Sequence, residues 1–236
     1  MTYSSRIAFL LIGGILLSCS NKFQKSPVDT LVRDMPAGEV FSIILHDMDA
    51  QGNFATTYYH QYEIIRGSTP ETIESELTDW VEVSDKEFNK YINDMGMEIA
   101  ARDSTGKLIK AVAPPGYNNY VGNPRYGRWE NQGGYSFWAF YGQYAFLSSM
   151  FRMATYPARR DYYNDWRGRD RNRTYYGPGG SYYGTGSAYN RTRNPSSSWN
   201  SKSTSFKSRV RNRASRSSGR SGRSSSSRSR GGGFGK

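Results

Sequence analysis

The chain has 236 residues, with 32 Lys+Arg against 20 Asp+Glu for a formal charge of +12, and only 36% of its residues are hydrophobic. A mean hydropathy of −0.76 and 25 glycines leave too little apolar material for one core across the whole length, so part of the chain is expected to be disordered. The single cysteine, Cys19, excludes an internal disulfide framework and a multi-cysteine metal site, and two histidines, His46 and His60, leave little for metal or triad chemistry.

Residues 1–18 carry one early charge, Arg6, followed by the uncharged run Ile7 to Leu17. That run is too short for a membrane span of about 20 residues and fits the core of a signal peptide. It ends in Leu16-Leu17-Ser18-Cys19, which resembles the lipobox of bacterial lipoproteins: an aliphatic residue, a small residue before the cysteine, and the cysteine itself. The resemblance implies that Cys19 is lipidated and becomes the first mature residue, anchoring the chain to a membrane without spanning it. Ser20 stands where an aspartate would resemble an inner-membrane retention signal, so the outer membrane is the favoured location. Residues 19–26 then read as a tether, and the body of the chain, 27–156, resembles a bacterial envelope domain.

Within the body, Gly38 to His46 and Phe54 to Ile65 are β-rich runs flanking the turn Asp49 to Asn53, a hairpin in which Tyr58, His60, Tyr62 and Ile64 share the inward face. Thr69-Pro70-Glu71 carries start signals for a short helix to about Leu77. Trp80 to Val83 alternates like a strand, and Ser84-Asp85-Lys86-Glu87 is a capping box opening a helix with Phe88, Tyr91, Ile92 and Met95 on one face. Met97–Arg102 and Lys107–Ala113 flank Asp103-Ser104-Thr105-Gly106 as a second hairpin. The expected fold class is α+β: a small antiparallel sheet of two hairpins covered by helices, followed by a long disordered basic tail. Residues 131–151 carry no charge, and a helix from about Ser136 to Phe151 covering the sheet is expected there, ahead of an interfacial helix or a membrane span.

Chemistry-bearing patterns are few. Asp47 to Gly52 resembles the opening of an EF-hand calcium loop, but position twelve is Tyr58 instead of a glutamate and the flanks read as strands, so an acidic hairpin turn is the reading and no metal or cofactor is expected. Neither histidine has a nucleophile context, and the protein is not expected to be an enzyme. A carboxylate-based hydrolase using Asp47, Asp49 or Glu63 is the remaining catalytic alternative. Arg125, Tyr126, Arg128, Trp129 and Trp138 form the candidate partner-binding set, as aromatic and arginine residues dominate recognition surfaces.

Charge divides the chain near residue 158. Residues 1–158 hold 13 Lys+Arg against 17 Asp+Glu, whereas 159–236 hold 19 against 3 and contain no Leu, Ile or Met. Residues 157–236 are therefore expected to be a disordered tail, Tyr/Arg-rich and then Ser/Arg/Gly-rich. Arg209, Arg211, Arg213, Arg216, Arg220, Arg223, Arg228 and Arg230 are candidate polyanion contacts. Such composition resembles RNA-binding Arg/Ser and Arg/Gly segments, but the signal peptide directs the chain away from intracellular nucleic acid. The expected function is that of a lipid-anchored envelope protein with a binding or scaffolding role, its tail engaging anionic envelope polymers or lipids. The alternative is an accessory lipoprotein that docks on a membrane protein complex through residues 123–151.

Overall fold

A computed structural model describes residues 26–220 apart from 53, 54, 68, 70, 171 and 172. The expected signal segment, Cys19, the expected tether before Ser26, and Arg223, Arg228 and Arg230 lie outside the described residues.

The chain enters through α1 (Pro27–Asp34), whose proline sits in the first turn and which buries Val28 and Val32. Strands β1 (Phe41–Gln51) and β2 (Thr57–Arg66) form the expected antiparallel hairpin. The helix expected from Thr69 to Leu77 is instead a single turn followed by β3 (Glu74–Leu77). Thr72 and Ile73 donate backbone bonds to the Thr69 carbonyl, but the turn does not propagate. The open edge of β2 takes the next residues as a strand, and Arg66 clasps Glu74 and Glu76 across the pair at 2.7 and 2.6 Å. After β4 (Val81–Val83), helix α2 (Asp85–Tyr91) opens on the capping box: Ser84 Oγ accepts from the Glu87 amide at 3.1 Å. Strands β5 (Glu98–Arg102) and β6 (Leu108–Ile109) make the second expected hairpin. The sheet runs β3-β2-β1-β5-β6 with β4 also on β2, every pairing antiparallel.

β1 is central and buried nearly throughout, because the sheet is covered on both faces. Ile43 and Leu45 join one cluster with Tyr58, Tyr62, Phe88 and Ile99, while Ile44 joins the other with Ile65, Tyr117 and Tyr120. Beyond His46 the parity inverts, and Met48 and Ala50 face the first cluster. The cause is a β-bulge: Leu45 pairs with Tyr62 and Asp47 with Gln61, leaving His46 as the extra residue.

The single helix expected over 136–151 is broken: residues 136–140 are strand and the rest is a 3-10 turn and a short helix. β7 (Gly127–Gln132) and β8 (Tyr135–Phe140) form a hairpin, and only α3 (Phe146–Met150) is helical beyond a preceding 3-10 turn. Gly133 and Gly134, at φ +60° and +83°, supply the left-handed pair that a two-residue hairpin turn requires, and the flanking aromatics favour strand. Among the described residues no helix is long and apolar enough to cross a membrane.

Disorder from residue 157 is the expectation that changes most. Residues up to 220 contain α4 (Arg160–Gly168), α5 (Ala188–Arg193), α6 (Ser198–Ser201) and α7 (Thr204–Arg220). Tyr175 is buried, and Tyr183, Tyr189, Trp199, Val210 and Ala214 are buried in clusters with the body's own side chains. Aromatic rings supply the area that the missing aliphatics would have supplied, each burying roughly 150–250 Å². Phe88 meets Trp199 edge-to-face at 5.4 Å, and Tyr183 lies between Tyr117 and Tyr189 at 6.4 and 5.0 Å. The protein is thus α+β, a small antiparallel sheet with helices, and its folded body extends beyond 156 into the basic segment.

Candidate functional site

The five residues of the expected partner surface do not form one exposed surface. Tyr126 and Trp138 are buried in the second cluster, Tyr126 meeting Tyr120 and Tyr144 at 4.9 and 5.0 Å. Trp129 is half-buried against Trp138 and Tyr163. Only Arg125 and Arg128 are exposed, the latter paired with Glu130 at 2.7 Å. The aromatic members of that set are packing residues, Trp129 and Trp138 as a cross-strand pair of β7 and β8 and Tyr126 just ahead of β7.

Asp47 and Asp49 are likewise structural. Asp47 clamps the start of α6: Ser197 Oγ and the Ser198 amide donate to its carboxylate at 2.7 and 2.6 Å. Asp49 pairs with Lys202 at 3.0 Å. Among the described residues no group of three or more His, Cys, Asp or Glu is arranged to hold a metal ion. His60 is fully buried, stacked on Phe88 at 5.6 Å and hydrogen-bonded through Nδ1 to the Tyr62 hydroxyl at 3.0 Å. Burial pushes its imidazole down to about 3, so it is a neutral core residue.

Two features remain as sites. The first is a basic stripe. Phe206, Val210 and Ala214 recur every four residues along α7 and seat it on the first cluster, against α2. Arg209, Arg213 and Arg216 are exposed on one flank at spacings of four and three, and Arg220 occupies the next position of that register. From Arg209 to Arg220 the stripe runs about 17 Å at the helical rise. Arg211 is exposed on the other flank. Arg213 also donates to Thr56 Oγ1, which ties the stripe to the body.

The second is a pocket of about 330 Å³ on the face of the sheet occupied by the second cluster. Its floor is Glu63 and Ser75, from β2 and β3, with the bulge residue His46 beside them. Its roof is Ser149 and Arg152 at the end of α3, and Arg193 of α5 closes the back. The Arg193 side chain is 4% exposed and holds three partners: Nη2 donates to Glu63 Oε2 at 2.6 Å, and Nη1 to the Met150 carbonyl at 2.7 Å and the Tyr189 hydroxyl at 3.5 Å. Ser75 Oγ donates to Glu63 Oε1 at 3.1 Å, and His46 Nδ1 lies 3.6 Å from Oε2. Burial alone would raise the Glu63 carboxyl; His46, Arg193 and Ser75 together outweigh it and hold the group down to about 2. The carboxylate is therefore ionised throughout the physiological range.

The carboxylate hydrolase alternative named Glu63 but lacked its setting. Arg193 lies 130 residues away in the basic segment, where it reads as one more tail charge. His46 reaches the pocket only through a bulge that no local pattern announces.

No protein family, no curated protein and no solved structure matches the chain.

Proposed function

We propose that the protein is a lipid-anchored envelope protein that binds a linear polyanion through α7 and the arginine-rich residues after it. The observation that supports this most directly is the flank of Arg209, Arg213 and Arg216, exposed and continued in register by Arg220, on a helix fixed by its own apolar seam. No acidic residue occurs anywhere from 191 to 236, against 13 Lys+Arg, so the stripe is embedded in a field of one sign. Each basic residue near an anionic surface contributes about 1 kcal/mol, and the attraction is screened by salt within a Debye length of about 8 Å at physiological ionic strength. Held at one end by lipid on Cys19, the chain needs only a weak second attachment, because tethering raises the local concentration of the polyanion.

Residues 159–216 contribute to the core, so the informative test is substitution, not deletion. The mature chain carrying Arg209→Gln, Arg213→Gln and Arg216→Gln should lose most of its sedimentation with phosphatidylglycerol vesicles or isolated cell wall, while its thermal unfolding stays cooperative and its stability falls by no more than the exposed Arg213–Thr56 hydrogen bond contributes, about 1 kcal/mol. In wild type, sedimentation should fall steeply between 50 and 300 mM salt. Binding that is insensitive to salt, or unchanged in the triple variant, would overturn the reading.

A further inference from the structure

The pocket between the sheet and α3 is built at a greater conformational and electrostatic expense than a surface dimple requires. Helix α3 ends in a Schellman motif: the Met153 amide donates to the Ser148 carbonyl at 2.7 Å and the Arg152 amide to the Ser149 carbonyl at 3.0 Å. The residue after the C-cap of such a motif takes a left-handed conformation and is usually glycine. Here it is Arg152, at φ +56°, the one non-glycine residue with positive φ among the described residues. The strained position carries the guanidinium to the pocket's mouth.

Charges around the pocket are matched except at that mouth. Glu63 is neutralised by Arg193 at 2.6 Å, and Glu76 by Arg66 at 2.6 Å. Arg152 lines the same space, and its guanidinium has no hydrogen-bond or ion-pair partner among the described residues. The walls add the Ser75 and Ser149 hydroxyls and His46, whose Nδ1 lies 3.6 Å from Glu63 Oε2. Leu77 and Met150 provide apolar surface. The volume of about 330 Å³ is at the lower end of the range for small-molecule sites.

We propose that this pocket binds a small hydroxylated organic anion, a phosphate monoester or a carboxylate, with its anionic group on Arg152 and its hydroxyls on Ser75, Ser149 and His46. This site is independent of the basic stripe on α7, and each can fail without the other.

The test is calorimetric titration of the full mature chain with glycerol phosphate, glycerate and uncharged glycerol. Wild type should bind at least one of the two anions and not glycerol, the choice between them distinguishing phosphate from carboxylate. Arg152→Gly removes the guanidinium while placing the residue its backbone favours, so this variant folds; it should weaken the anion at least about tenfold, the worth of one charge-assisted contact. The triple glutamine variant of α7 should bind within about twofold of wild type. No heat with either anion, equal binding of glycerol, or binding that survives Arg152→Gly but is lost in the α7 variant would each overturn the proposal.

Discussion

Replacing Trp199 by alanine removes a side chain with no exposed surface from a position 40 residues inside the segment whose composition argues for disorder. The indole packs edge-to-face on Phe88 at 5.4 Å, within the cluster that holds Phe41, Ile43 and Leu45 of the central strand. Truncating a fully buried aromatic to alanine costs about 3–5 kcal/mol, of which an edge-to-face ring pair accounts for roughly 0.5–1.5. Against a total stability of about 5–15 kcal/mol this is a large fraction. With a urea slope near 2 kcal/mol per molar, the unfolding midpoint should drop by about 2 M. The assay is equilibrium urea unfolding followed by far-ultraviolet circular dichroism. Asp47→Ala strands the Ser198 amide and the Ser197 hydroxyl at the start of the same short helix, and should cost about 1–3 kcal/mol. Because both act on α6, the double variant should lose less than the sum. A Trp199→Ala midpoint within about 0.3 M of wild type would refute the reasoning, since a side chain on a disordered tail contributes nothing to the transition.

The remaining expectations concern protons and strain. His60 is held neutral with its imidazole at about 3 against an ordinary 6.5, so the stability it contributes is complete above 6.5 and is lost as pH falls toward 3, by about 1.4 kcal/mol per unit. The gap between wild type and a His60→Phe, Tyr62→Phe variant, which also removes the stranded hydroxyl, should narrow at that rate in urea titrations from pH 6.5 downward. Glu98 has the opposite sign. Burial pushes its carboxyl up to about 7 despite bonds from the Gly116 amide and Asn118, so its contribution is present below about 4.5 and is lost as pH rises through 7, in all about 3 kcal/mol. Wild type should lose stability relative to Glu98→Gln across that window and run parallel to it above pH 8. Arg152→Gly should raise stability by about 1 kcal/mol by relieving a left-handed non-glycine residue, read as a higher unfolding midpoint without ligand.

Those elements whose signals are local could be read from the chain directly. The β1–β2 hairpin has alternation on β2, with Tyr58, His60, Tyr62 and Ile64 buried and Tyr59, Gln61 and Glu63 half-buried between them. Helix α2 has its own cap, and the β5–β6 turn has Asp103 accepting from Thr105 and Lys107. What could not be read was set by distant partners. Thr69 to Leu77 has helix-start residues, yet β2 offers an unpaired edge and Arg66 two carboxylates to hold, and tertiary pairing overrides local propensity. Gly133-Gly134 is a hairpin signal that the apolar run 135–147 obscures. The lack of Leu, Ile and Met in the basic segment argues for disorder only if tyrosine and tryptophan are discounted as core residues; in this fold Tyr175, Tyr183, Tyr189 and Trp199 are core. The pocket required a bulge at His46 and an arginine 130 residues from its glutamate, neither of which leaves a periodic trace.

One stretch of chain, 188–216, joins the two candidate sites to the sheet. Tyr189 sits in a small cluster with Met97 and Tyr183, Arg193 neutralises Glu63 on one face of the sheet, and Trp199, Val210 and Ala214 enter the cluster on the other. Between them Asp47, on the central strand, fixes the start of α6. The arginines at 209, 213 and 216 are thus carried by a helix whose position is set by the core, and their mutual spacing is fixed before any polyanion arrives. A preorganised stripe loses less conformational entropy on binding than the same charges on a flexible chain, so affinity per charge is higher and the preferred ligand is one whose anions repeat along a line. The arrangement also explains why a segment of one charge sign folds at all. Its acidic partners are supplied by the body, at Glu63 for Arg193 and Asp49 for Lys202, while the arginines without such partners are the ones left facing solvent.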